Sequence, residues 1–287
     1  MTILLALGSS LLWGVADFFG GKTSRNRMTV AVVLIAQLAG LLLALVVALA
    51  SGSMAASTGY VPWAIGAGMA GAFAVVLFYQ ALAIGTMGVV APIAALGVII
   101  PVIIGMFSGV MPSALCIAGI VIAIGGVVTT ARPADSSTRS ERRAQSILLA
   151  VGAAVGFGLL QYAISGGARY STIMTMVVMR CTSIPLLAFV TLLVLRSQRE
   201  SDESPARFSK RVIGLVVIVG VFDVSANLLF AEASVSGALA VVAVLGSLYP
   251  AATVLLARII DHERMSTLQN LGVAAAVTGV AMIAAGL

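Results

Sequence analysis

Apolar runs of 18 to 25 residues alternate with polar breaks along the whole chain. Ten can be marked, at residues 3–21, 29–50, 61–84, 88–108, 113–130, 147–166, 171–195, 212–233, 237–258 and 268–286. Each is long enough to cross a hydrocarbon core of about 30 Å as a helix. None shows the polar alternation of a membrane barrel strand. Backbone in lipid must satisfy its own hydrogen bonds, which leaves helices. The pattern predicts an all-α integral membrane protein with ten transmembrane helices. Two polar loops are long, residues 131–146 and 196–211, and other connections are as short as Gly85 to Met87.

The runs repeat. LLALGSSLLWGVADFF from Leu4 matches LLAVGAAVGFGLLQYA from Leu148 at an offset of 144, pairing Trp13 with Phe157, Gly14 with Gly158 and Asp17 with Gln161. Gln37 pairs with Arg180 at offset 143, and Gly71 with Gly220 at offset 149. The fourth and ninth runs align Pro101 on Pro250 and Gly97 on Gly246, and the fifth and tenth align Gly119 and Gly126 on Gly272 and Gly279 at offset 153. The step in offset is four residues, and it falls near Asp261 to Arg264, a charged segment the first half lacks. Five runs per half is an odd number, so the second half must enter the membrane from the opposite face. That predicts two inverted five-helix repeats: a first unit at residues 1–130, a cytoplasmic linker at 131–146 and a second unit at 147–287.

Composition agrees and removes several classes. Hydrophobic residues make up 61% of the chain and charged ones 9%, against about 25% charged in soluble domains. The net charge of +6 sits in short loops, so it reports orientation rather than nucleic-acid binding. The loops after runs 1, 5, 7 and 9 hold 13 Lys and Arg, the opposite face only Arg169; those loops are expected in the cytoplasm of a multi-pass protein of the cell membrane. Cys116 and Cys181 both lie in apolar runs and form no metal-binding spacing. The one histidine, His262, is in a loop beside no second ligand, and no nucleophile–base pair is evident, so an enzyme, a metal site and a cofactor are not expected.

Ionisable groups within a membrane are expensive and usually face a cavity or a partner. Arg180 and Asp223 both lie roughly 14–15 Å from the same face at about 1.5 Å per residue, and Asn227 follows Asp223 by one turn. They are expected to cluster at a cavity; a static ion pair joining two helices is the competing reading. Asp17 shares a helix face with Trp13, with Tyr79 and Gln80 at a similar level, a set that suits a substrate ammonium or a coupling proton. The alternative is an interfacial acid paired to Lys22. Gln161 and Tyr162 hold the repeat-related place, and Tyr249 beside Pro250 is a further cavity candidate. Pro92, Pro101 and Pro250 are expected to kink helices, as fixed bends or as gates. Glu232 is read as a surface group near Arg169, and Arg258 as snorkelling to the interface.

The closing segment from Ser247 to Gly286, SLYPAATVLLARIIDHERMSTLQNLGVAAAVTGVAMIAAG, resembles the signature of EamA-type members of the drug/metabolite transporter superfamily. Trp13-Gly14, the run FYQALAIG from Phe78 and Arg180 resemble other parts of that pattern. The family usually has glycine where this chain has His262, and the first half offers Ser108-Gly109-Val110-Met111 in place of the charged loop. The resemblance implies a central cavity lined by spans 1, 3, 4, 6, 8 and 9, braced by spans 5 and 10. It further implies a secondary transporter that exports or exchanges small metabolites or drugs. The mixed inventory of aromatic, amide and charged candidates suits an amino-acid-like zwitterion, and an amphipathic drug fits the same list. The transporter's other partners are the bilayer and, where transport is proton-coupled, protons; the assembly is a monomer or homodimer. A non-transporting membrane subunit, structural or sensory, is the alternative.

Overall fold

The structure, a computed structural model, describes residues 1–107, 113–130, 138–200, 208–237, 239–263 and 266–286. The described residues are all-helical apart from short turns. The helices are α1 (Thr2–Ser24), α2 (Thr29–Ala50), α3 (Val61–Ile84), α4 (Met87–Ala95), α5 (Ile99–Phe107), α6 (Ala114–Thr130), α7 (Thr138–Glu200), α8 (Lys210–Ser236), α9 (Leu239–Gly246), α10 (Tyr249–Ile260) and α11 (Thr267–Ala285). Among the described residues, seven helical segments are long and apolar enough to cross a membrane, with two shorter apolar helices beside them.

The helices are inside-out relative to those of a water-soluble protein. On α1 the buried face carries Ser9, Ser10 and Asp17 while Leu4, Leu7 and Leu11 are exposed. On α2, Gln37 is buried and Leu38, Leu42, Val46 and Leu49 are exposed. Such a surface is stable against lipid, where exposed leucine costs nothing and an exposed amide is expensive.

Two features of helix shape bear on the expectations. The fourth and ninth apolar runs each tighten partway along: a 3-10 turn at Leu96–Val98 joins α4 to α5, and Ser247–Leu248 joins α9 to α10, with Ala95, Leu96, Ile99 and Leu248 keeping right-handed helical backbone. Pro101 is the third residue of α5 and Pro250 the second of α10. The first turn of a helix has amides without helical partners anyway, so proline's missing donor is free of cost there. Of the three candidate prolines only Pro92 lies within a helix, α4. The second feature concerns the linker. Residues 131–137 lie outside the described residues, but α7 already begins at Thr138, so half of the polar linker is helical. The same helix runs through the sixth and seventh apolar runs, interrupted at Ser171, whose φ of −164° and ψ of 112° turn the chain.

Helices α1, α2, α3, α7, α8 and α10 pack on one another in the centre, while α6 and α11 lie chiefly against each other. The crossing of α6 and α11 depends on glycine. A Cβ on Gly119 would sit 2.6 Å from the Gly279 carbonyl oxygen, and one on Gly126 would sit 2.6 Å from that of Gly272. Small residues of this kind let backbones approach in lipid.

After α10 the chain turns through His262, whose φ of 50° lies in the left-handed region. A non-glycine residue is strained in that conformation. Replacing His262 with Gly is expected to raise stability by about 0.5–1 kcal/mol, the strain relief exceeding glycine's extra unfolded-state freedom. Thermal denaturation of the purified protein in detergent checks this.

Candidate substrate cavity

A cavity lies among α1, α2, α3, α7, α8, α10 and the two tight turns. Its interior leaves about 40 Å³ open to water centres. One water centre needs roughly 10–15 Å³, so the interior is narrow in this state. Its floor on α3 is built of Ala67, Gly68, Gly71 and Ala72, and its aromatic walls are Trp13, Phe157 and Tyr249.

The tight turns place backbone at the cavity. Ala94, Ala95, Gly97 and Val98 line it from the α4–α5 turn, and Ser247 and Tyr249 from the α9–α10 turn. Pro101 and Pro250 themselves do not line it; the residues before them do. Thr253 closes α10 onto α1, its hydroxyl donating to the Gly14 carbonyl at 3.1 Å.

The polar centre is on α7 and α8. Arg180 Nη2 meets Asp223 Oδ2 at 2.5 Å, and Arg180 Nη1 donates to Gln37 Oε1 on α2. Asn227 Nδ2 donates to the Asp223 carbonyl at 2.6 Å and to Asp223 Oδ1 at 3.3 Å. All four side chains line the cavity, so the ion pair that joins α7 to α8 forms part of its wall. Gln37 was legible only as Arg180's repeat partner; that equivalence was the signal for a contact across the two halves. Ser183, Ser247 and Met179 also line the cavity, and no pattern in the sequence singled them out.

Asp17 lines the cavity one turn from Trp13 and is buried. It does not pair with Lys22. That lysine reaches Asp261, as does Arg25 Nη1 at 2.6 Å. Gln161 joins the lining, and its Oε1, Asn227 Oδ1 and the Tyr249 hydroxyl are buried without a hydrogen-bond partner. Those orphaned atoms are costly unless something visits them.

Three candidates fall elsewhere. Gln80 accepts from the Thr29 hydroxyl at 2.7 Å, toward the α1–α2 connection, because it is turned about 100° around α3 from Tyr79. Tyr162 packs edge-on against Trp63, ring centroids 5.5 Å apart. Tyr79 stands behind the lining, its hydroxyl donating to the Ala16 carbonyl at 3.4 Å. Farther out, Glu232 accepts from Thr172 at 3.4 Å and Arg258 donates to Asn270 at 3.3 Å.

One loop ties the two halves together. Asp261 holds Lys22 and Arg25 at the end of α1. Glu263 accepts from the backbone amides of Met87 at 3.2 Å and Gly88 at 3.3 Å, at the start of α4. A carboxylate at a helix N-terminus completes amides that have no helical partner. Arg264, the last residue of that charged segment, lies outside the described residues, as do residues 108–112.

An all-helical chain with several membrane-length segments and a central polar cavity is a multi-pass membrane protein. Residues 144–285 match the EamA-like transporter family, and the chain is a member of that family, part of the drug/metabolite transporter superfamily. A protein of known crystal structure superposes on it with a TM-score of 0.71, covering 98% of this chain and 95% of that one at 18% identity, a likeness that shows the fold alone. Among curated proteins none matches. The family consists of membrane transporters rather than enzymes.

Proposed function

We propose that the protein is a secondary transporter working by alternating access, built as ten spans in two inverted five-helix repeats and exporting or exchanging small metabolites across the cell membrane. The observation that carries the reading is the Gln37–Arg180 contact. These residues occupy equivalent positions of the two halves and touch each other at the cavity, as residues on a pseudo-two-fold axis must. Other contacts obey the same exchange. Gly119 meets Gly279 as Gly126 meets Gly272. A Cβ on Gly14 would lie 2.6 Å from the Tyr249 carbonyl, and one on Gly158 would lie 2.7 Å from the Cβ of Ile100, Tyr249's repeat partner. A cavity at the junction of two such halves is where rocking of one against the other exposes it to alternate faces.

The basic loops after the first, fifth, seventh and ninth apolar runs favour a cytoplasmic position for the Asp261–Glu263 loop. With that face held shut by the loop, the cavity would open next to the outside. Export rests on the family resemblance, and a proton can be the coupling ion through Asp17 or Asp223. Untargeted metabolite profiling of medium from cells with and without the protein tests export, followed by flux of the identified compound into proteoliposomes. Saturable, protein-dependent flux is expected; its absence for every compound enriched in the medium would leave a non-transporting subunit.

A further inference from the structure

Resting on the transporter reading, we infer that the cavity selects cations, taking a compound with a protonated amine on an apolar body and seating the amine at Asp17. The charge balance of the lining leads there. Asp17 and Asp223 are its acids and Arg180 its one base. Arg180 spends both Nη groups on Asp223 and Gln37; its Nε, buried without a hydrogen-bond partner, lies beside the α2 backbone at Gly40. Among the described residues Asp17 has no ion-pair or hydrogen-bond partner, and the nearest basic residue in sequence, Lys22, is committed to Asp261. One carboxyl is therefore left without a counterion in a site shielded from water. Its ionised form is costly alone and is stabilised by a visiting cation.

The groups around it suit an ammonium. Trp13, one turn away on the same helix, presents an indole, the ring that attracts cations best. Asn227 uses its amide nitrogen on Asp223, which leaves Oδ1 as an unpartnered acceptor. Gln161 Oε1 is a second unpartnered acceptor. An ammonium has three N–H groups, and a carboxylate with two such acceptors can serve all three. The apolar body has its own lining in Phe157, Tyr249 and the Ala67, Gly68, Gly71 and Ala72 stretch of α3. A substrate carboxylate, by contrast, meets a single base, Arg180, whose two Nη groups are taken and whose Nε alone is unpartnered. The site thus favours amines over zwitterions and anions of the same shape.

Three compounds of one shape test this: phenethylamine, phenylalanine and 3-phenylpropanoate, titrated against the purified full-length protein in detergent by microscale thermophoresis. Phenethylamine is expected to bind at least tenfold more tightly than either of the others. Asp17→Asn should weaken its binding at least tenfold, with Asp17→Glu recovering much of it, while the melting temperatures of the variants report folding. Equal or tighter binding of phenylalanine or 3-phenylpropanoate overturns the inference, as does unchanged binding by Asp17→Asn or no binding of phenethylamine at all. The outcome is separable from the transporter reading. Flux of a zwitterion without amine binding would leave transport standing and remove cation selection; amine binding at Asp17 without any flux would do the reverse.

Discussion

Arg180→Met is expected to lower stability by about 3–5 kcal/mol, the usual cost of leaving one member of a buried ion pair alone. Arg180 is 4% exposed at its side chain, and its removal strands two groups at once. Asp223 loses its counterion, and Gln37 Oε1 loses its charged donor. The double variant Arg180→Met with Asp223→Leu should recover most of that loss, because removing both charges also removes both desolvation costs. Chemical unfolding in detergent micelles measures the cycle. A single-variant loss below about 1 kcal/mol would mean that the pair is solvated like a surface bridge. The folded double variant then decides the pair's second role. A purely structural tie between α7 and α8 lets it transport normally, whereas loss of flux at retained stability places the pair in the substrate path.

How much of this was legible depends on what each signal encodes. The apolar runs gave helices because lipid allows little else, and α3 begins and ends at the expected residues, Val61 and Ile84. Arg180, Asp223 and Asn227 were legible because a charge in an apolar run needs a partner at its own depth. The place of the tight turns in the fourth and ninth runs was not, since a proline reads alike in the first turn and in the interior. Gln80 and Tyr162 each adjoin a residue that faces inward or near it, and a one-residue step turns a side chain about 100°. Sequence spacing gives the level of a side chain more reliably than its bearing. Lys22 shows a further limit: it sits near Asp17 in sequence, yet its partner is 239 residues away, and no local pattern reports so distant a pairing.

That distant pairing supports the second large prediction. Removing the loop's acceptors with Asp261→Asn and Glu263→Ala should open the side of the cavity that carries the loop. The loop belongs to the second half, and all four of its partners, Lys22, Arg25, Met87 and Gly88, belong to the first. Opening that face by rocking must break these contacts. The two ion pairs are partly exposed, with Lys22 and Arg25 side chains 40% and 31% accessible, so screening leaves each worth well under about 1 kcal/mol. The hydrogen bonds from amides to a carboxylate contribute more. Together the losses come to about 1.5–3 kcal/mol, a shift of roughly 10- to 100-fold toward the open form. The substitution Ser247→Cys, in a background free of Cys116 and Cys181, reads this out through its labelling rate with an impermeant thiol reagent applied from the face that carries the loop. No change in rate would remove the loop from gating. Acidity supplies a second check. Burial pushes the Glu263 carboxyl above the usual glutamate range, outweighing the Gly88 and Met87 amides and the Arg25 charge that pull it down, while Asp261 adds to the rise. Closing the loop therefore takes up a proton when the open form leaves Glu263 at its ordinary value. The closed form is favoured as pH falls and loses that advantage as pH rises through the elevated pKa. Labelling of the introduced thiol should accordingly slow on acidification when the loop is intact, beyond the loss of thiolate seen in the unfolded protein. That extra pH dependence should vanish in Glu263→Gln.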